Sequence, residues 1–343
     1  NTTLEVELKQ LFDLRRDKWH SGDTHVHIAH GGEGDTYSLT PADLVAIARA
    51  EDVAVTCALS NGLHFSGGLD PASLPGAALY FGMEYRSAVF GHMNVLGLDT
   101  LLPSFGCCYD DVGPAYPTNL SVAEDVIAQG GTVISAHPIT MDPADIGVST
   151  LAWPYTGFAR ELPTDIVLGG MHAMDVYSYS NYNNAVARDV WFNNLTLGNR
   201  LTQSAGTDAS VNRWFDPPIG GYRVYEMLPF GFTFDFAEWL EGLRRGESFI
   251  TNGPLPTGFT INGRVPGEEL QVDSGGSKVD GVIRILSRDP VQYADIILNG
   301  TSIRRFSLDP GQTEHEMDFT LDLPDQDGWL VLWVQGSEPH PTV

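Results

Sequence analysis

Apolar and polar positions along the first two thirds of the chain predict strands that alternate with helices. Residues 53–59, 132–136, 201–205 and 248–251 are short segments predicted to be strands, the first two of them mainly apolar. Apolar residues at helical spacing lie between several of these segments. Strands that alternate with helices favour parallel pairing, so this part of the chain is predicted to form an α/β barrel or an open α/β sheet.

Boundary residues predict where three of the helices begin or end. Thr40 is a predicted N-cap, and Ser121 with Glu124 reads as a capping box at the start of a second helix. A third helix covers residues 236–243 and is expected to end at Gly246, since glycine favours the left-handed conformation that follows a helix.

The pattern changes near residues 253–254, beyond which no helical period is found. Short apolar strands are predicted at residues 282–286, 294–298 and 329–334. Asn299-Gly300 is typical of a tight hairpin turn. These features predict a small β-sandwich.

The predicted domain organisation has three parts. Residues 1–18 contain an alternating strand at residues 4–8 that is expected to join the sandwich, because a lone strand needs a sheet partner. Residues 19–256 form the barrel, and residues 257–343 form the β-sandwich.

Composition narrows the class of partner. The chain has 343 residues, of which 42% are hydrophobic, and a formal net charge of −25. This charge argues against a nucleic-acid groove or an anionic membrane surface as the main partner. No apolar run is long enough to span a membrane. A phosphorylated small molecule stays possible as a substrate, because bound metal ions reverse the local field.

The strongest local signal is the sequence Gly22-Asp23-Thr24-His25-Val26-His27. Residues i and i+2 of a strand face the same side, so His25 and His27 can present two imidazoles to one zinc or iron ion. Asp23 is expected to orient one of these rings. An isolated His-x-His pair is a weak motif that needs further ligands nearby.

Further metal-binding residue types follow along the chain. Glu84 and His92 lie in short glycine-containing segments, and His137 and Asp208 follow two of the predicted strands. The carboxyl ends of parallel strands meet at one rim, where α/β barrels place their active sites. We therefore expect these side chains to converge, although a single histidine beside an apolar strand is more often a core residue.

These motifs, in this order, resemble the PHP superfamily of metal-dependent hydrolases, and most closely its CehA/McbA-like branch, which includes carbaryl hydrolase. The resemblance covers roughly residues 19–270. It is carried by WHSGDTHVH (residues 19–27), GME with GHMNVLG (residues 82–84 and 91–97), AHP (residues 136–138), GTDA (residues 206–209) and LRRGESFITNGP (residues 243–254).

The resemblance implies a distorted (β/α)₇ barrel and a metal centre. One metal would be held by His25, His27, Glu84 and Asp208. A second would be held by Glu84, His92 and His137, with Glu84 bridging the two. Zinc is the first expectation, with manganese or iron as alternatives.

Two positions depart from the family pattern. Relatives often carry histidines for a third metal where this chain has Ser60 and Ser210. Because a serine hydroxyl is a poor ligand for zinc or iron, we expect one or two metals and not three. His30, Glu33 and His64 lie near enough in sequence to offer substitutes, but we interpret them first as loop residues.

Two further polar residues have open roles. Asp175 lies where relatives tend to carry Glu, and we leave open whether it supports the ligands, contacts substrate or is a solvated acid at a strand end. Arg86 is a candidate polar group of the pocket or a surface residue.

The favoured function is hydrolysis of an ester-type bond in a small molecule: a phosphoester, a carboxyl ester or a carbamate. Metals make hydroxide available near neutral pH, and Asp208 could accept the proton of the attacking water, with Glu84 as the other catalytic residue. The alternatives are a metal-stabilised ligand-binding protein and a non-catalytic relative whose ions only hold the barrel. The oligomeric state and the compartment stay open, with a lean towards an extracytoplasmic location.

Overall fold

A computed structural model of the chain describes residues 10–28, 38–60, 64–87, 90–102, 117–140, 159–213, 216–228 and 235–336. The strand predicted at residues 4–8 lies outside the described residues, so its pairing with the sandwich stays a prediction.

One large sheet dominates the first part of the chain. Its strands in chain order are β1 (Trp19–His27), β2 (Val55–Leu59), β3 (Ala78–Ser87), β4 (Gly91–Leu96), β5 (Thr132–Ser135), β6 (Ala173–Ser178), β7 (Thr202–Gly206), β8 (Ala209–Ser210), β9 (Arg223–Met227) and β10 (Ser248–Thr251). Across the sheet the order is β10-β9-β1-β2-β3-β4-β5-β6-β7, and β8 pairs with β1.

This sheet is nearly closed and barrel-like. Its edge strands β7 and β10 lie side by side, with Gln203 Nε2 donating to the carbonyl oxygen of Ser248 at 3.1 Å. Strand β1 also approaches β7, since the Thr24 hydroxyl donates to the carbonyl oxygen of Ala205 at 3.1 Å. The carboxyl ends of the parallel strands therefore surround one rim.

Parallel pairing, as predicted, holds for most of the sheet, but two strands that were not among the predicted ones run against it. Strands β1, β2 and β3 are parallel, as are β5, β6 and β7, but β4 and β9 run antiparallel to their neighbours. Strand β4 begins four residues after β3 ends. Such a connection is too short for a helical crossover, so the chain must return as a hairpin.

Five α-helices lie in the described part of the chain. They are α1 (Pro41–Ala50), α2 (Asn119–Ala128), α3 (Leu162–Val167), α4 (Asn184–Thr196) and α5 (Phe236–Arg245). The predicted N-cap Thr40 is confirmed, and Gly246 ends α5 with φ 75°. The predicted capping box at Ser121 is wrong: α2 begins earlier, because the Thr118 hydroxyl caps it by accepting from the Ser121 N–H.

Two small antiparallel sheets follow the barrel-like sheet. Their strands are β11 (Leu255–Ile261), β12 (Ser277–Leu286), β13 (Val291–Leu298), β14 (Thr301–Ser307), β15 (Glu314–Leu323) and β16 (Leu330–Gly336), in the orders β11-β12-β15 and β14-β13-β16. The three strands predicted here are parts of β12, β13 and β16, and the predicted Asn299-Gly300 turn joins β13 to β14. Ile283 and Phe319 of one sheet and Ile296 of the other belong to one buried apolar cluster.

In the described part of the chain, no helix is both long enough and apolar enough to cross a membrane.

Glu226 on β9 is a buried carboxyl group outside the rim. It is fully buried, and neither of its carboxylate oxygens has a hydrogen-bond partner. It lies beneath α5, since a Cβ on Gly242 would sit 3.0 Å from its Oε2. Burial, followed by the charge of Glu247, raises the pKa of Glu226 well above its ordinary value, despite the opposing charge of Arg245.

Replacing Glu226 by Gln is expected to raise the free energy of unfolding more at pH 8 than at pH 5. A carboxyl whose pKa is raised by folding contributes stability that is present below its unfolded pKa and lost as the pH rises towards the folded value. The glutamine amide does not ionise and avoids this loss. Chemical denaturation of both proteins at the two pH values measures the difference, and an equal difference at both would contradict the expectation.

Candidate metal centre

The first strand places two imidazoles side by side. His25 and His27 are two residues apart on β1, so both rings lie on one face. Their Nε2 atoms are 3.1 Å apart, and His27 Nδ1 lies 2.9 Å from the carbonyl oxygen of Leu59. A carbonyl oxygen can only accept a hydrogen bond, so His27 Nδ1 carries the proton in this contact. The Nε2 atom can then bind a metal through its lone pair.

Asp208 is held against these imidazoles by the turn between β7 and β8. Its N–H donates to the carbonyl oxygen of His25 at 2.8 Å. Its Oδ1 lies 3.2 Å from Nε2 of His25 and 3.1 Å from Nε2 of His27, while its Oδ2 accepts a hydrogen bond from the Ser180 hydroxyl. The carboxylate is therefore oriented with one oxygen towards the histidine pair.

Glu84 lies between two pairs of imidazoles. Its Oε1 is 2.9 Å from His92 Nδ1 and 3.1 Å from His137 Nε2. Its Oε2 is 3.6 Å from His25 Nε2 and 3.4 Å from His27 Nε2. Each carboxylate oxygen therefore faces a different pair of rings.

The backbone is in the left-handed region at two of these residues. His137 has φ 26° and Asp208 has φ 54°. Non-glycine residues adopt such angles at a cost on the order of 1–3 kcal/mol, and they cluster at functional sites. The strain at His137 accompanies a stack of its ring on that of His25, with centroids 5.5 Å apart.

Three groups of these side chains could hold a metal ion, because within each group the donor atoms lie within 4.8 Å of one another. The groups are His25 with His27 and Glu84, His25 with His137 and Asp208, and Glu84 with His92 and His137. The six side chains are between 0% and 16% exposed, so an ion there would be shielded from bulk water.

Four donor atoms lie close enough together to approach one metal ion. Zinc with nitrogen and oxygen ligands at about 2.0–2.2 Å requires its donor atoms to lie roughly 3.3–3.6 Å apart. Among the Nε2 atoms of His25 and His27, Asp208 Oδ1 and Glu84 Oε2, five separations lie between 3.1 and 3.6 Å. The residues present therefore suit a divalent metal in donor chemistry, and these five separations are close to those of a metal site.

Both carboxyl groups of the cluster are in the form that binds metals. Burial alone would raise the pKa of Glu84 and of Asp208. The neighbouring imidazoles, first among them His25, reverse this effect and hold the pKa of both carboxyls below the usual range. Two ionised carboxylates beside imidazole nitrogens form an anionic site for a cation.

The residues proposed as substitutes for the lost histidines do not join the cluster where they are described. His64 is an exposed loop residue whose ring lies 5.5 Å from that of Phe81, which agrees with its interpretation as a loop residue. His30 and Glu33 lie outside the described residues. Ser60 and Ser210 are both buried near the rim.

Two carboxylates behind the cluster differ from the expectations. Asp23 does not orient an imidazole: its carboxylate accepts from the N–H groups of Thr207 and Gly220 at 2.9 and 2.8 Å, so it fixes backbone. Asp175 is not a solvated acid at a strand end. It is fully buried within β6, and Asn94 Nδ2 donates to its Oδ2 at 3.2 Å.

Two polar contacts of the cluster were not predicted. Arg86 Nε donates to Glu84 Oε2 at 2.5 Å, so this residue, whose role was left open, contacts the cluster directly. The Ser180 hydroxyl, which lies in the segment after β6, donates a hydrogen bond to Asp208 Oδ2. Arg86 could have been found from its position two residues after Glu84 on a strand, whereas no local signal marks Ser180.

Comparison with known proteins adds little. No protein-family profile matches the chain. No curated protein matches it either. Among solved structures, a proposed metal-dependent phosphoesterase from Bifidobacterium adolescentis is similar with a TM-score of 0.38 and 17% sequence identity, over 64% of this chain and 96% of that one. Similarity at this level establishes neither a shared fold nor a shared activity.

Gly206 allows β7 to lie close to β1 beside the cluster. A Cβ on Gly206 would sit 2.5 Å from the Cβ of His25. Gly206→Ala is expected to lower the free energy of unfolding by about 1–3 kcal/mol, because a packed backbone must move apart. Gly68→Ala is the control, since nothing lies within 4 Å of the added carbon. Chemical denaturation measures the free energy of unfolding of both variants. Equal values for Gly206→Ala and Gly68→Ala would show that the added methyl group fits between β1 and β7.

Proposed function

We propose that the chain is a metal-dependent hydrolase of ester-type bonds and that it belongs to the PHP superfamily, in its CehA/McbA-like branch. The observation that carries this proposal is the spacing of the four donor atoms of His25, His27, Glu84 and Asp208, with five separations of 3.1–3.6 Å. The proposed architecture is a distorted (β/α)₇ barrel over residues 19–256 and a β-sandwich over residues 257–343.

The proposed ligand set has two positions that share one carboxylate. His25, His27, Glu84 and Asp208 would hold one metal, and Glu84, His92 and His137 would hold the second. The orientation of Glu84 supports the bridge, because each of its oxygens faces one pair of imidazoles. Zinc suits the nitrogen-rich set best, with manganese or iron as alternatives.

Bound divalent metals would supply Lewis-acid activation of a water molecule and of the ester oxygen. Asp208 is proposed to accept the proton of the attacking water and to pass it to the leaving group. Its hydrogen bond from Ser180 fixes the carboxylate for this transfer. The burial of His25, Glu84 and His137 keeps bulk water away from the reacting groups, which strengthens every charge interaction at the site.

The proposed substrate is a small molecule with a phosphoester, carboxyl ester or carbamate bond. The test is a panel of such compounds, assayed with protein loaded with zinc, manganese or iron. Hydrolysis that depends on the metal supports the proposal. Bound metal without hydrolysis of any panel member would favour a metal-stabilised binding protein instead.

Protein purified without chelator is expected to contain one or two transition-metal ions per chain. The six candidate ligands suffice for two positions, whereas Ser60 and Ser210 offer only hydroxyl groups to a third. Elemental analysis gives the stoichiometry, and anomalous scattering locates the ions. No metal, or an ion within bonding distance of either serine, would contradict this assignment.

Glu84→Gln is expected to remove the second metal and to lower hydrolysis by at least about 100-fold, while the fold survives. The substitution keeps the size of the side chain but removes the charge that offsets repulsion between two cations. His64→Ala is the matched control, because it changes an exposed residue of a neighbouring loop. Activity and metal content are measured for both. Full activity with two metals in Glu84→Gln, or greater damage in His64→Ala, would show that the site is wrongly assigned.

A further inference from the structure

Arg86 contacts the carboxylate at the centre of the cluster. It lies two residues after Glu84 on β3 and directly opposite His92 on β4, so the three side chains share one face of the hairpin. Arg86 Nε donates to Glu84 Oε2 at 2.5 Å, and His92 Nδ1 lies 2.9 Å from Oε1. A permanent positive charge therefore lies next to the proposed bridging ligand.

Arg86 is also on the solvent side of the cluster. The side chains of Arg86 and His92 are 12% and 16% exposed, whereas those of His25 and Glu84 are 0% and 2% exposed. A molecule that reaches the cluster from solvent on the side of this hairpin meets the guanidinium and the His92 ring before the deeper ligands.

The charge balance gives Arg86 a consequence for specificity. Carboxylates that bind a metal are ionised, and imidazoles that bind a metal are neutral. With one divalent ion, the two carboxylate ligands would balance the charge of the metal, and Arg86 adds one positive charge beside them. With two ions, Arg86 increases a positive charge already present. Arg86 therefore adds one positive charge directly beside the proposed bridging carboxylate, although the whole chain carries a net charge of −25.

We propose that Arg86 is a specificity-determining residue, and that its charge makes the site prefer substrates whose scissile group is anionic over neutral esters and carbamates. This inference rests on the proposed function and narrows its substrate class. The competing role is purely positional, in which Arg86 only keeps Glu84 Oε2 directed towards the His25 and His27 pair.

The experiment compares wild type with Arg86→Gln, Arg86→Lys and the control Arg49→Gln, all metal-loaded. Arg49→Gln removes the same charge from an exposed position on α1. The substrates share one leaving group: p-nitrophenyl phosphate and bis(p-nitrophenyl) phosphate are anionic, and p-nitrophenyl acetate is neutral. Calorimetric titration with inorganic phosphate measures anion binding independently of turnover, and elemental analysis measures the metal content of every variant.

Arg86→Gln is expected to lower the ratio of kcat/KM for anionic to neutral substrates at least roughly 10-fold and to raise the Kd for phosphate by a similar factor, the usual size of a lost charge contact. Arg86→Lys, which keeps the charge but lacks Nε, should retain most of the preference. Arg49→Gln should match wild type in both measurements.

Several outcomes would overturn the inference. An unchanged ratio with an unchanged phosphate Kd in Arg86→Gln would show that the charge does not select anions. Loss of metal from Arg86→Gln, or failure of Arg86→Lys to retain the preference, would assign Arg86 the positional role. If Arg86→Gln does not fold, the phosphate titration of the wild-type protein still tests the inference. Wild-type protein that binds no phosphate at millimolar concentration would refute an anion-selective centre. Wild-type protein that binds no metal and hydrolyses no panel member would instead refute the proposed function.

Discussion

The geometry of the candidate metal centre depends on a buried carboxylate that contributes no donor atom to it. Asp23 accepts hydrogen bonds from the Thr207 hydroxyl at 2.6 Å, from the Thr207 N–H at 2.9 Å and from the Gly220 N–H at 2.8 Å. These bonds tie β1 to the turn after β7 and to the segment that leads into β9. Because Asp208 is the next residue after Thr207, the same bonds fix its carboxylate beside His25. Burial of a carboxylate is favoured when its oxygens are satisfied in this way. The bonds that join β1 to the turn after β7 therefore also order the cluster.

Sequence motifs were sufficient to select the six residues that the fold brings together, because each motif is local. His25 and His27 are adjacent on one strand face, and His137 and Asp208 follow strands whose carboxyl ends share a rim. Ser180 could not be selected in this way. Its contact with Asp208 joins residues 28 positions apart through a turn without a repeating pattern. The role of Asp23 was misread for a related reason, since its partners lie far along the chain.

Strands β14 and β15 of the small sheets were not predicted from the pattern of hydrophobic residues. Strand β15, Glu314–Leu323, alternates buried and exposed residues, a period-two pattern typical of a half-buried strand, although it was not among the predicted strands. Strand β14, Thr301–Ser307, is exposed along almost its whole length and forms an edge of its sheet. Its pairing with β13 follows from the Asn299-Gly300 turn and not from burial. Burial therefore does not separate the strands that were predicted from those that were not, since Phe319, Leu321 and Leu323 of β15 belong to the buried core.

The small sheets also reach the neighbourhood of the candidate centre. The Trp329 ring packs 4.7 Å from that of Phe192 on α4, and the Trp333 ring lies 6.3 Å from that of Tyr177 at the end of β6. Strand β6 and helix α4 flank the short segment that carries Ser180. Aromatic contacts of this kind contribute more to stability than their buried area alone would give. They join the small sheets to β6 and α4, the two elements between which Ser180 lies. The small sheets therefore contact the elements on either side of Ser180. No side chain of these sheets belongs to the metal-binding groups of the described residues.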